Sequence, residues 1–138
     1  MINLTLVYYG NFPNYFQLYL DSLEANDDIL KILLITDINM DEYKIQKNIV
    51  LQYLTFDNVK IRLMKFIKYE YDLTVNTEEI LKKPYKLCDL RPIYPILFSD
   101  FYDNFIQSEN DYIGYCDCDV IMGKLSNFVN LNIDYNLI

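Results

Sequence analysis

Along this chain, unbroken apolar runs alternate with segments in which apolar positions recur every three or four residues. Ile2 to Tyr8 is a β-branched and aromatic run with no turn residue inside it, the signature of a buried strand. Tyr9-Gly10-Asn11-Phe12-Pro13 punctuates it, and Pro13 suits a first helical turn with Asn14 an acceptable cap. Phe16, Tyr19, Leu20 and Leu23 then fall at helical spacing between Gln17, Asp21 and Glu24, so one face of this helix is apolar. Ile29 to Thr36 is a second apolar run of strand length, closed by Asp37. Strand, helix, strand is a βαβ unit, whose default is a parallel, right-handed arrangement.

Ile49 to Leu54 reads as a third strand. A helix follows from near Asp57, with Val59, Leu63, Phe66 and Ile67 as its apolar stripe and Lys60, Arg62, Lys65 and Lys68 as a solvated basic face. A short helix is expected over Thr77 to Leu81. Pro92 starts another amphipathic helix, carrying Ile96, Leu97, Phe101, Phe105 and Ile106. Glu109-Asn110-Asp111 turns the chain into a fourth core strand, and Leu125 to Val129 forms a short helix. Asn132 to Ile138 reads as the start of one more strand. The whole is an α/β single domain over residues 1–138, with a mostly parallel sheet flanked by helices. In such sheets ligands sit outside the carboxyl ends of the strands, where Tyr9, Gly10, Asn11 and Asp37 would lie.

The chemistry concentrates at the end of the fourth strand, in Tyr112-Ile113-Gly114-Tyr115-Cys116-Asp117-Cys118-Asp119-Val120-Ile121-Met122-Gly123. In an extended segment side chains alternate, so Asp117 and Asp119 point one way while Cys116 and Cys118 point the other. Two convergent carboxylates repel unless a cation lies between them. A hard divalent ion, magnesium or manganese, takes oxygen ligands and completes its shell with water and substrate phosphates. Asp-x-Asp at a strand end is also a common turn, because Asp bonds its own backbone there. Upstream, Lys86, Asp89 and Arg91 are charged residues set among apolar ones; both a paired network and ligand contacts satisfy that pattern.

Composition narrows the field. Apolar residues make up 52% and charged residues 23% of the chain, which describes a folded domain with a core rather than a disordered segment. A formal charge of -8 would repel a phosphate backbone, so nucleic acid is not an expected partner. A nucleotide is compatible, because a bound metal supplies the local positive charge. Three cysteines and no histidine argue against zinc and against a disulfide framework. The amino-terminal run is too short to span a bilayer and lacks a cleavage site, so no membrane segment and a reducing, cytoplasmic compartment are expected.

Three patches together resemble the amino-terminal half of GT-A fold glycosyltransferases of bacteria and large DNA viruses. They are Tyr8-Tyr9-Gly10-Asn11-Phe12-Pro13-Asn14-Tyr15-Phe16, Pro84-Tyr85-Lys86-Leu87-Cys88-Asp89-Leu90-Arg91-Pro92, and Gly114 to Gly123. The resemblance implies a Rossmann-like nucleotide-sugar-binding fold and a metal-dependent transferase taking a nucleotide-sugar donor, UDP-sugar first and GDP-sugar second, with Mn2+ or Mg2+. The compartment it implies is cytoplasmic, the host cytoplasm for a viral protein. By the same resemblance Tyr8, Tyr9, Gly10, Asn11 and Asp37 would cradle base and ribose, and Lys86, Asp89 and Arg91 would lie near the diphosphate or donor sugar. Asp117 would meet ribose or sugar hydroxyls and Asp119 the metal, the two acting together as the catalytic device. The family's later half, which supplies the acceptor site and often a histidine ligand, has no counterpart in the short stretch after Asp119. The chain therefore reads as a donor half, and the alternative is a non-catalytic nucleotide-sugar-binding or interaction subunit. A haloacid-dehalogenase-type phosphatase would need its Asp-x-Asp near the start of the chain. A dinucleotide oxidoreductase would need three close glycines after the first strand, where only Gly10 stands.

Overall fold

The computed structural model describes residues 1–130. Four strands form one sheet: β1 (Ile2–Val7), β2 (Leu30–Thr36), β3 (Ile49–Tyr53) and β4 (Tyr112–Tyr115). Every pairing is parallel and the order is β3-β2-β1-β4. The α/β architecture with helices on a parallel sheet is thus the one the apolar runs predict. β4 lies at the sheet edge among the described residues. The segment from Asn132 to Ile138 falls outside the described residues.

Alternation along the strands sends side chains to two cores. Leu6, Leu30, Ile32, Leu34 and Ile49 face α1 (Phe16–Glu24) and pack on its Phe16, Tyr19, Leu20 and Leu23. Leu33 and Ile35 face the opposite layer, where they meet Val59 and Leu63 of α2 (Phe56–Tyr71) and Leu97, Phe98, Tyr102 and Phe105. β2 is buried on both faces, as expected of a central strand in a parallel sheet. Full burial of one such large apolar side chain contributes about 1.5–3 kcal/mol. Thr5 of β1 is also buried on the α2 side, and its hydroxyl shares a hydrogen bond with that of Tyr102.

Local differences from the sequence reading have local causes. α1 starts at Phe16, later than Pro13, because the Pro13 carbonyl already accepts the Phe16 N–H at 2.9 Å and makes a turn in place of a cap. α2 has a side-chain cap, the Thr55 hydroxyl accepting from the Asn58 N–H at 3.3 Å. The helix expected from Pro92 to Ile106 is broken into pieces: a 3-10 stretch (Pro84–Ile93), α4 (Tyr94–Leu97) and α5 (Ser99–Phe105), after the short α3 (Thr77–Ile80). Pro92 and Pro95 have no N–H to give to carbonyls four residues back, so a continuous α-helix cannot run through them. The break at Phe98 drives that ring fully into the core. Leu125–Asn127 is a single 3-10 turn. Among the described residues no helix is long and apolar enough to cross a membrane.

Candidate functional site

A sheet of order 3-2-1-4 reverses its direction of winding between β1 and β4, and at such a reversal the loops leaving adjacent strands part to open a crevice. Here that crevice is a cavity of about 260 Å³ lined by Tyr8, Pro13 and Tyr15 from the loop after β1, and Asp117, Cys118 and Asp119 from the turn after β4.

The β1 loop is shaped by glycine and aromatic stacking. Gly10 takes φ 102°, a left-handed conformation that a side chain would strain. Tyr8 stacks on Phe12 with ring centroids 4.8 Å apart, and Phe12 on Phe16 at 3.7 Å. Tyr43 closes the ladder edge-on against both phenylalanines. The Tyr8 hydroxyl donates to the Asn11 carbonyl at 3.0 Å. Burial first, then Cys118 and Tyr15, push the Tyr8 phenol above its ordinary pKa. Tyr8 therefore enters the cavity as a neutral, fixed ring.

The β4 turn is held from the other side by α1. The Cys116 N–H donates to the Thr5 carbonyl at 3.1 Å, extending the pairing one step past the strand. Cys116 and Cys118 then turn into the α1-side core, and Cys116 lies 3.3 Å from the Tyr19 hydroxyl. Burial pushes the Cys116 thiol up to about 11, against the Tyr19 hydrogen bond that lowers it, so the sulfur stays a neutral thiol rather than a nucleophile or metal ligand. Further on, the Met122 N–H donates to the Ser22 hydroxyl at 3.0 Å. The fully buried Asn26 amide donates to the Gly123 carbonyl at 2.8 Å and accepts from the Leu125 N–H at 2.7 Å. With both cysteines drawn inward, Asp117 and Asp119 are turned out into the cavity, as alternation predicts.

The two carboxylates differ in one respect. Asp117 is ion-paired with Arg91, whose guanidinium also reaches Cys88 Sγ at 3.4 Å and lies over the Tyr115 ring at 5.1 Å. Partial burial works against the Arg91 charge, but Asp117, Cys88, Tyr94 and Tyr115 outweigh it and raise its pKa. Asp119 has no cationic partner among the described residues. Arg91 also lines a second cavity of about 160 Å³ against β4, so the Arg91–Asp117 pair stands between two hollows.

The remaining sequence-predicted residues disperse. Tyr9 belongs to the α2-side core, its hydroxyl donating to the Leu54 carbonyl at 2.9 Å; burial and then Asp37 raise its pKa, so it is a core phenol. Asp37 is exposed past the end of β2 and does not line the cavity. Lys86 and Asp89 are exposed and pair with each other at 3.3 Å, away from the cavity lining. Gly10 and Asn11 shape the loop through backbone alone. The lining residues not foreseen are Pro13 and Tyr15, both inside the first motif patch, and Cys118; the anchor Asn26, outside the lining, was not foreseen either. Tyr8 and Tyr9 could have been separated by strand alternation, which continues from Leu6 to Tyr8 on one face and from Val7 to Tyr9 on the other.

A profile of a protein family matches residues 4–137. The chain belongs to DUF6625, a family of unknown function. No curated protein and no solved structure matches it. What this member of DUF6625 can do is therefore read from its own side chains. Among the described residues no group of three or more His, Cys, Asp or Glu side chains is assembled to hold a metal. Two outward carboxylates on one cavity nevertheless suit magnesium or manganese, which bind through one or two carboxylates and take the rest of their shell from water and substrate phosphates. They do not suit calcium, which asks for more protein oxygens, or zinc, which asks for sulfur and nitrogen.

Proposed function

We propose that this chain is the nucleotide-sugar-binding part of a metal-dependent glycosyltransferase. The observation that carries the reading is the convergence of Asp117, Asp119, Tyr8 and Tyr15 on one cavity at the carboxyl end of a parallel sheet, where the winding reverses. Tyr8 and Tyr15 offer ring faces and a phenol to the nucleoside. Asp119, without a cationic partner among the described residues, would be the ligand for Mn2+ or Mg2+, and Asp117 the second carboxylate of the pair. When bound, the cation supplies charge neutralisation for a diphosphate leaving group.

The reaction is displacement at the sugar's anomeric carbon. The bond to the β-phosphate oxygen breaks, its electron pair leaving on the nucleoside diphosphate. An acceptor hydroxyl oxygen forms the new glycosidic bond and releases its proton. In this chain Asp119 would hold the cation that neutralises the leaving group, Tyr8 and Tyr15 orient the donor, and Arg91, paired with Asp117, adds a positive charge beside the cavity. These residues provide donor binding; an acceptor site is not assigned to any of them.

Calorimetric titration with UDP and GDP, with and without manganese, tests this. Nucleotide binding that strengthens at least about tenfold with manganese, and loses that gain in Asp119→Asn, is expected; a tenfold gain is about 1.4 kcal/mol. Binding indifferent to both manganese and Asp119 would overturn the assignment.

A further inference from the structure

Arg91 is placed to do more than contribute charge. Its side chain is 22% exposed and that of Asp117 50%; Asp117 lines the cavity that Asp119 also lines, and Arg91 reaches it from the adjacent hollow. The guanidinium is held flat by the Tyr115 ring and by Cys88, but only Nη2 is spent on protein acceptors. Nη1 and Nε have no protein acceptor among the described residues. Five donors in a fixed fork match the oxygens of a phosphate as well as those of a carboxylate.

These facts set up a competition. A bare divalent cation entering the cavity meets Asp119, but it finds Asp117 engaged and a fixed positive charge beside it. Close like charges repel, and within a partly desolvated wall that repulsion is screened less than in water. A cation that arrives with a diphosphate meets a different balance. The phosphate oxygens outbid a single carboxylate for the guanidinium, and Asp117 is then available to the cation. We infer that Arg91 makes cation and diphosphate binding conditional on each other, by occupying Asp117 until a diphosphate takes its guanidinium. This rests on the nucleotide-sugar reading for its ligand, and makes Arg91 a positioning residue that couples two halves of one ligand. The coupling is reciprocal: whatever factor diphosphate gives the cation, the cation gives the diphosphate.

The test separates the latch from the donor assignment by using probes with no nucleoside. Free Mn2+ is measured by electron paramagnetic resonance in the full chain, alone and with inorganic pyrophosphate held at equal free concentration across variants. The proteins are wild type, Arg91→Gln, Arg91→Lys, Asp117→Asn and Arg91→Gln with Asp117→Asn. Expected is tighter binding of bare Mn2+ in Arg91→Gln by about fivefold or more, the low end of ordinary coupling. The pyrophosphate-dependent gain should shrink by a similar factor. The tightening should vanish in the double variant, because it requires the freed Asp117, and Arg91→Lys should fall between wild type and Arg91→Gln. A variant that merely lost structure would bind manganese more weakly, never more tightly. Unchanged or weaker binding of bare Mn2+ in Arg91→Gln, or a tightening that persists without Asp117, overturns the latch. If the latch behaves as stated but UDP binds no better than pyrophosphate, the nucleotide reading fails and the coupling stands.

Discussion

Two regions that meet at the Arg91–Asp117 pair are built by different physics. The carboxylate turn is tied to α1 by buried hydrogen bonds from Ser22 and Asn26 and by cysteines sunk in the core. The region from Pro84 through α5, which does not line the cavity, depends at its surface on ion pairs: Lys86 with Asp89, Arg91 with Asp117, and Arg62 with Asp100. Buried, backbone-directed hydrogen bonds are costly to break because they strand a partner away from water, whereas exposed ion pairs contribute about 0–1 kcal/mol and weaken in salt. Such a site has one fixed side and one adjustable side. Asp117 and Asp119 belong to the first, and the Arg91 guanidinium belongs to the second.

The largest effect that would break this contrast is on the fixed side. Asn26→Ala removes a fully buried amide and with it the part-buried hydrogen bonds to the Gly123 carbonyl and the Leu125 N–H. A loss of about 1–3 kcal/mol in denaturant unfolding is expected, together with weaker manganese affinity, because the turn bearing Asp119 loses its tether. Wild-type stability in Asn26→Ala would mean the turn is held by something else.

A smaller effect is expected on the ion-paired side, and its pH dependence gives the sign. Arg62 forks onto Asp100 with N–O distances of 2.5 and 2.8 Å, and lies over the Phe101 ring at 4.8 Å. The Arg62 hydrogen bond is the leading cause that holds Asp100 below its ordinary pKa, opposed by burial. A carboxylate with a depressed folded pKa adds stability above its unfolded pKa, near 3.9, and loses it as the pH falls through the folded value. Asp100 is half exposed, so solvent screening limits the effect to about 0–1 kcal/mol. Arg62→Gln should therefore lower stability slightly at pH 7 and flatten the decline below about pH 4 that this pair causes. An unchanged acid limb in thermal unfolding would count against the pair as a stabilising contact.

The sequence carried the sheet because strands buried on both faces are written as unbroken runs, and Leu30 to Thr36 shows why such runs are hard to mistake. Asp117 and Asp119 were legible for the same reason of alternation, reinforced by Cys116 and Cys118, which alternate with them. Asn26 was not, since its partners lie 97 and 99 residues away and a polar residue at a helix end reads as a stop signal. The pieces between Pro92 and Phe105 were misread as one helix because apolar spacing spoke louder than Pro92 and Pro95. Tyr9, Asp37, Lys86 and Asp89 were grouped with the site by motif proximity, and the fold separates them. Arg91 was the ambiguous case between a salt bridge and ligand contacts: it forms a salt bridge, and its partner is Asp117.

The most direct test of the account is where manganese goes. With the 15N-labelled chain and UDP present, added Mn2+ should first broaden the amide signals of Cys116 to Asp119 and of Tyr8 to Tyr15, leaving those of Met64 to Leu73 on α2 and beyond it sharp. Broadening centred on another acidic surface, such as Asp57 and Glu78, or spread evenly over the molecule, would contradict it.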